Sequence, residues 1–206
     1  MAITYPLSLP TSIGMANIEF TATNVVAVSQ SPFTLEQQIL QYPGQGWSVN
    51  VTLPAQQRDL MEPWIAFLLS LQGPVGTFVL GDPNGKTPLG VGGGTPLVNG
   101  GSQTGNSLDI DGCPISTTNW LKAGDYVQVR TGSSRTLHKV LTNVTTNASG
   151  QATLDIWPKL RSAPADNASI VITNAAGIFR LSNPQTTWSI DNATKYGISF
   201  TATEAI

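Results

Sequence analysis

Between Trp47 and Leu53 the chain reads WSVNVTL, an unbroken alternation. Trp47, Val49, Val51 and Leu53 fall on one side, and Ser48, Asn50 and Thr52 on the other. Period two is the signature of a strand with one dry and one wet face, the normal state of an antiparallel sheet. The pattern returns near the end, where YGISFTA sets Tyr196, Ile198 and Phe200 on one face. Helical spacing is convincing once, within PAQQRDLMEPWIAFLLSLQG, where Leu60, Trp64, Ile65, Leu68 and Leu71 form an apolar stripe ended by Gly73-Pro74. Pro63 predicts either a helix that starts near Glu62 or a kinked preceding turn. Many strands and one helix predict an all-β chain whose helix covers an open face or end of a sheet.

The turn pair Pro43-Gly44 predicts a hairpin between FTLEQQIL and WSVNVTL. After the helix, GDPNGKTPLGVGGGTPLVNGGSQTG is dense in Gly and Pro and reads as a connection, not an element. SLDID, GDYVQVRT, TLHKVLTNV, ATLDIW and ASIVITN follow, five short strands separated by turn signals. Such spacing suggests a small closed or nearly closed barrel. IFRLS, TWSID and YGISF then remain, too few for a domain of their own. The economical topology is an antiparallel β-sandwich from residues 1–84 and 178–206, with a small OB-like barrel of residues 85–177 inserted into it.

Charged residues are 11% of the 206 and the net charge is −2. An ordinary soluble chain carries roughly 25%. No basic face is available to track phosphates, so specific nucleic-acid binding is not expected. A polar but charge-poor surface suits faces buried against other copies or partners. WIAFLLSL is too short to span a bilayer, and MAITYPLSLPTS lacks the basic start of a signal peptide. Five N-x-[ST] triplets are expected by chance in so Asn-, Ser- and Thr-rich a chain. Cys113, the one cysteine, rules out an internal disulfide and reads as a small buried apolar residue.

Chemical motifs fail on register. GDPNGKT resembles a phosphate loop, but Gly81 is one position out and Pro88 follows where a helix is needed. Asp82-Pro83-Asn84-Gly85 reads as a turn instead. GVGGGTP opens no helix and lies in no dinucleotide-binding unit. Counting a calcium loop from Asp109 puts Pro114 where Gly is required and Trp120 where Glu is required. One His and one Cys leave a Cys113–His138 couple without an orienting group, and His138 reads as a solvent-facing strand residue. No catalytic residue, cofactor or metal ion is expected, and the chain is not read as an enzyme. Trp47, Trp64 and Trp188 read as core; Trp120 and Trp157 border turns and are candidate exposed aromatic contacts. Gly124-Asp125 reads as a structural turn, with Asp125 accepting backbone amides and setting the angle of the following strand.

The order of the pieces carries a resemblance: WSVNVTL, then EPWIAFLLSLQG with GTFVLGDP, then WLKAGDYVQVRTGSSRTLHKVLTNV and GQATLDIWPKLR, then IFRLS, and YGISFTATEAI at the end. Over nearly its whole length the chain resembles the distal tail proteins of long-tailed, non-contractile (siphovirus-type) bacteriophages, in the form with an OB-type barrel inserted in a galectin-like sandwich. That resemblance implies a virion protein, made in the bacterial host cytoplasm and placed at the far end of the tail. It implies a self-associating ring, usually a hexamer, between the tail tube protein and the hub or baseplate protein, with side fibres as a further candidate partner. It supplies no catalytic residues. The alternative, from a different class, is a carbohydrate-binding module that presents Trp120 or Trp157 to a sugar.

Overall fold

A computed structural model describes residues 3–206. Met1 and Ala2, the start of the 1–84 segment and of the stretch read as no signal peptide, lie outside the described residues. The fold is all-β with one helix, two antiparallel sheets, and a second sheet that curls into a nearly closed barrel.

The first sheet is built from both ends of the chain. Its strands are β1 (Asn17–Gln30), β2 (Gln37–Thr52), β3 (Phe78–Leu80), β10 (Gly177–Leu181), β11 (Trp188–Ile190) and β12 (Tyr196–Glu204). They run in the order β1-β2-β12-β10-β3, with β11 also pairing β12. The two alternating segments lie side by side: Val51 opposes Phe200 and Val49 opposes Ala202. Trp47, Val49, Val51, Leu53, Ile198 and Phe200 are buried, while Asn50, Thr52, Ser199 and Thr201 face water.

Helix α1 (Arg58–Ser70) closes the dry face. Trp64 and Phe67 pack on Phe200 and Phe78 with ring centroids 6.3 and 5.6 Å apart. The helix begins at Arg58 and continues past Pro63, so it does not start near Glu62 as one expectation had it. Pro63 and Asp59 are both exposed, and the Asp59 carbonyl deprived of its partner can be served by water. Arg58 also pairs with Glu62 at 2.9 Å on this first turn.

The hairpin differs from expectation. β2 is one strand of 16 residues, and Pro43-Gly44 lies inside it. The turn lies at residues 31–36, and the partner is β1. Asn24 opposes Gln45 and Val26 opposes Gln41, so Tyr42, Pro43 and Gly44 face Val25 alone. Proline has no N–H for the ladder, and the extra residues bulge out of it. Gly44 leaves room there, because a Cβ would lie 2.7 Å from Val25 Cγ2.

All six strands of the second sheet come from between β3 and β10: β4 (Leu97–Val98), β5 (Gly105–Asp111), β6 (Tyr126–Val129), β7 (Thr136–Val140), β8 (Ala152–Leu160) and β9 (Ile170–Val171). Their order is β4-β5-β8-β7-β6-β9. Val98 N–H donates to Ala168 O at 2.9 Å and Ile170 N–H to Pro96 O at 3.0 Å, which brings the two edges together. β4 is formed by part of the Gly-rich stretch expected to be connection only. Leu108, Ile110, Val127, Val129, Leu154 and Ile156 fill the interior. Trp188, expected in the core, is 39% exposed on the edge strand β11.

The two sheets share a seam. Tyr126 and Leu137 from the barrel belong to the core of the first sheet. Trp47 Nε1 donates to Leu137 O at 3.0 Å, and Trp157 stacks edge-on against Trp47 at 4.5 Å. Arg161 forks onto both oxygens of buried Glu204 at 2.9 and 2.7 Å. Taking one member from such a pair strands the other. Glu204→Gln is expected to lower unfolding free energy in urea by roughly 3 kcal/mol, while Arg58→Ala, which removes the exposed helical pair, leaves it nearly unchanged. Equal effects would contradict this ranking.

Candidate functional site

Gly124 and Asp125 occupy the corner before β6. Gly124 adopts φ +101° and donates its N–H to Val140 O at 2.8 Å. The Asp125 carboxylate is buried and accepts three backbone amides: Lys122 at 2.8 Å, Leu89 at 2.6 Å and Gly90 at 3.2 Å. The Lys122 bond closes the corner. The other two reach a segment 35 and 36 residues away, so Asp125 also pins the strand-poor connection against the barrel. Gly90 permits that approach: a Cβ there would lie 2.6 Å from Leu121 Cα. A carboxylate engaged in this way is a structural clasp.

Trp120 is not an exposed contact. It is 0% exposed, and its Nε1 donates to Gly93 O at 3.1 Å. Gly92 N–H returns a bond to Trp120 O at 2.9 Å, so the Gly-rich segment wraps the indole. Trp157 is half-buried; one edge meets Trp47 and its Nε1 donates to Asn24 Oδ1 at 2.9 Å. The structure therefore does not bring Trp120 and Trp157 together as a sugar platform.

His138 is buried, not solvent-facing. Its Nδ1 lies 2.7 Å from Pro158 O and its Nε2 2.8 Å from Thr136 Oγ1. Burial, only partly offset by the Pro158 bond and by Glu204, pushes its pKa down to about 4, with Arg161 and Arg130 adding to the fall. At neutral pH the ring is uncharged, with Nδ1–H donating to Pro158 O and Nε2 accepting from the Thr136 hydroxyl. Cys113 is buried in the barrel, and burial with the nearby Asp111 charge raises its thiol to about 12. It stays protonated, and the thiolate is the nucleophilic form. Among the described residues no group of three or more His, Cys, Asp or Glu could hold a metal. Asp109 receives the Thr153 hydroxyl at 2.6 Å, and Asp82-Pro83-Asn84-Gly85 forms a turn through Asn84 N–H to Asp82 Oδ1 at 2.8 Å.

The feature that sequence reasoning missed is the outer half of the β1–β2 hairpin. From Val25 to Tyr42 the ribbon leaves the sheet and is exposed along nearly its whole length. Val26, Val28 and Ile39 crowd one face, and Ala27 and Leu40 the other. The tip carries Leu35 and Phe33, the latter 95% exposed. From Thr21 to Gln57 the only charged residue is Glu36. Edge strands that stay free are usually blunted by Lys, Pro or short length; this one has only the Pro43 bulge in its partner strand. A two-stranded ribbon wet on both faces is marginal in water, so this arm needs a surface to lie on. The signal was present in NVVAVSQSPFTLEQQILQY, which pairs apolar residues with both parities and lacks cations.

No protein-family model matches the chain, and no curated protein matches it.

Removing the clasp takes the acceptor from three part-buried amides, each bond worth about 1 kcal/mol. Asp125→Ala is expected to lower the melting temperature markedly and Asp125→Asn, which keeps one acceptor oxygen, by less. An unchanged melt in the Ala variant would refute the clasp. His138 gives a pH signature. The unfolded imidazole takes a proton near 6.5 and the folded one near 4. Stability is thus full above about 6.5 and is lost as pH falls toward 4, by on the order of 3 kcal/mol at completion. Calorimetry from pH 7 to 4 should show a shallower fall for His138→Gln than for wild type.

Proposed function

We propose that the chain is a structural assembly protein of a long, non-contractile bacteriophage tail, forming a ring at the distal end that joins tail tube to hub or baseplate. The observation that carries an assembly role is the exposed, apolar, almost uncharged β1–β2 arm, which covers no surface among the described residues. The phage assignment comes from the resemblance of the ordered segments from WSVNVTL to YGISFTATEAI. In this reading the protein acts by geometry, not by catalysis. The sheet carries the ring contacts, the copies are related by rotational symmetry, and the barrel offers its outer surface to side fibres. A low net charge of −2 is compatible with a channel through which DNA must slide without sticking. The carbohydrate-binding alternative depended on Trp120 and Trp157, and burial removes the first of them.

Antibody-labelled electron microscopy of particles released from the source cells tests the proposal. Label at the tips of long tails is the expected result. Particles that carry no label anywhere would overturn it.

A further inference from the structure

One cavity outside the clasp is walled in part by a buried indole. It is an open pocket of about 320 Å³ lined by Leu9, Ile13, Met15, Trp64 and Ala175, with Asp82 and Lys86 also on its wall. Trp64 is 1% exposed, and its Nε1, sealed from solvent, has no hydrogen-bond partner among the described residues. Buried indole N–H groups normally have an acceptor, and leaving one without is costly. The pocket's walls are apolar with two opposite charges among them, which suits an apolar group flanked by a charge. Its volume is at the small end of ligand pockets, which run from roughly 300 Å³ upward, so it has room for a side chain rather than a domain.

The arm tip has that composition. Phe33 stands 95% exposed at its apex. Glu36 follows at the base of the turn, and Lys86 makes no ion pair among the described residues. Arm and cavity belong to opposite ends of the strand order. The arm extends β1 and β2, whereas the cavity borders Gly81, just beyond β3.

We propose that the arm tip of one copy seats in the Trp64 cavity of a second copy, with Phe33 filling it and Glu36 facing Lys86. This rests on the assembly role proposed above. Such a contact joins two different surfaces, so each copy both gives and receives an arm. Repetition closes a ring when the rotation per copy divides the circle, and otherwise makes a filament.

The test uses the full chain. Gly14 lies on the cavity wall, and a Cβ placed on it meets nothing within 4 Å. Sedimentation velocity should show concentration-dependent association of the wild type. Phe33→Asp should weaken it about tenfold or more, as loss of an aromatic anchor does, with an unchanged circular dichroism spectrum. Gly14→Trp, which plugs the cavity, should do the same. An equimolar mixture of these two variants retains one good arm and one good cavity per pair and should stop at one-to-one dimers. Phe33→Cys mixed with Gly14→Cys should give a mixed disulfide under mild oxidation, since the native Cys113 is buried.

Three results would overturn the pairing: a wild type that stays monomeric at all concentrations, association indifferent to both substitutions, or no mixed disulfide. A small molecule found by mass spectrometry in the purified protein, and displaced by Gly14→Trp, would assign the cavity to a ligand and overturn it too. Labelled tail tips without the disulfide would remove this contact and leave the tail role standing. The disulfide without tip label would do the reverse.

Discussion

The seam between the two sheets centres on Trp47. Its place is set by period-two alternation in β2, which turns the indole inward. There it donates to Leu137 O, takes the edge of Trp157, and lies 6.3 Å from the Tyr126 ring. Its own backbone N–H points at Glu204 Oε2 at 3.3 Å. Glu204 in turn holds Arg161, which also donates to Gln45 O at 2.7 Å. One buried carboxylate thus joins β2, β12 and the chain leaving β8. A buried ion pair of this kind is weak as a source of net stability, but it admits few alternative arrangements. It fixes one position for the barrel where an apolar seam alone would allow sliding.

The seam also aims the arm. Asn24 and Gln45 are the last ladder pair before the bulge at the arm's root. Asn24 accepts from Trp157 Nε1, and Gln45 Oε1 accepts from Lys159 N–H at 2.8 Å. Both clamps come from β8 of the barrel. The exposed ribbon is therefore held at its base by the same residues that hold the barrel, before any partner is met. An element fixed in direction beforehand loses less freedom on docking.

Legibility in the sequence followed the number of wet faces. The inner half of β2 and β12 have one, and their alternation placed Trp47, Val51, Ile198 and Phe200 correctly. β7 is covered on both sides: Leu137 packs into the first core and Val140 into the barrel. Alternation then no longer marks solvent, which is why His138 was misplaced. Trp120 was misread because the glycines that wrap it lie 27 residues earlier, and no local pattern announces such a contact. Glu204 was readable in part. It shares the parity of Ile198, Phe200 and Ala202, and an inward carboxylate requires a partner, but Arg161 lies 43 residues away. IWPKLR and FTATEA, two segments that carry the family resemblance, meet through this pair. The clasp of Asp125 was legible as a corner; its second task, holding Leu89 and Gly90, was not.

A long apolar arm without cations is a hazard for a chain that must remain dispersed, because an unprotected strand edge invites pairing with any other. The bulge at Pro43-Gly44 lessens it. It interrupts the ladder at the arm's root and adds local twist, so the ribbon departs from the plane of the sheet. Edge-to-edge stacking of whole sheets is then disfavoured, and contact concentrates at the tip and the two apolar faces. Charge offers little help in finding a partner, since the arm has only Glu36. Association without steering proceeds at about 10⁵–10⁶ M⁻¹s⁻¹. In the assembly proposed above, specificity then rests on shape, and speed on high local concentration.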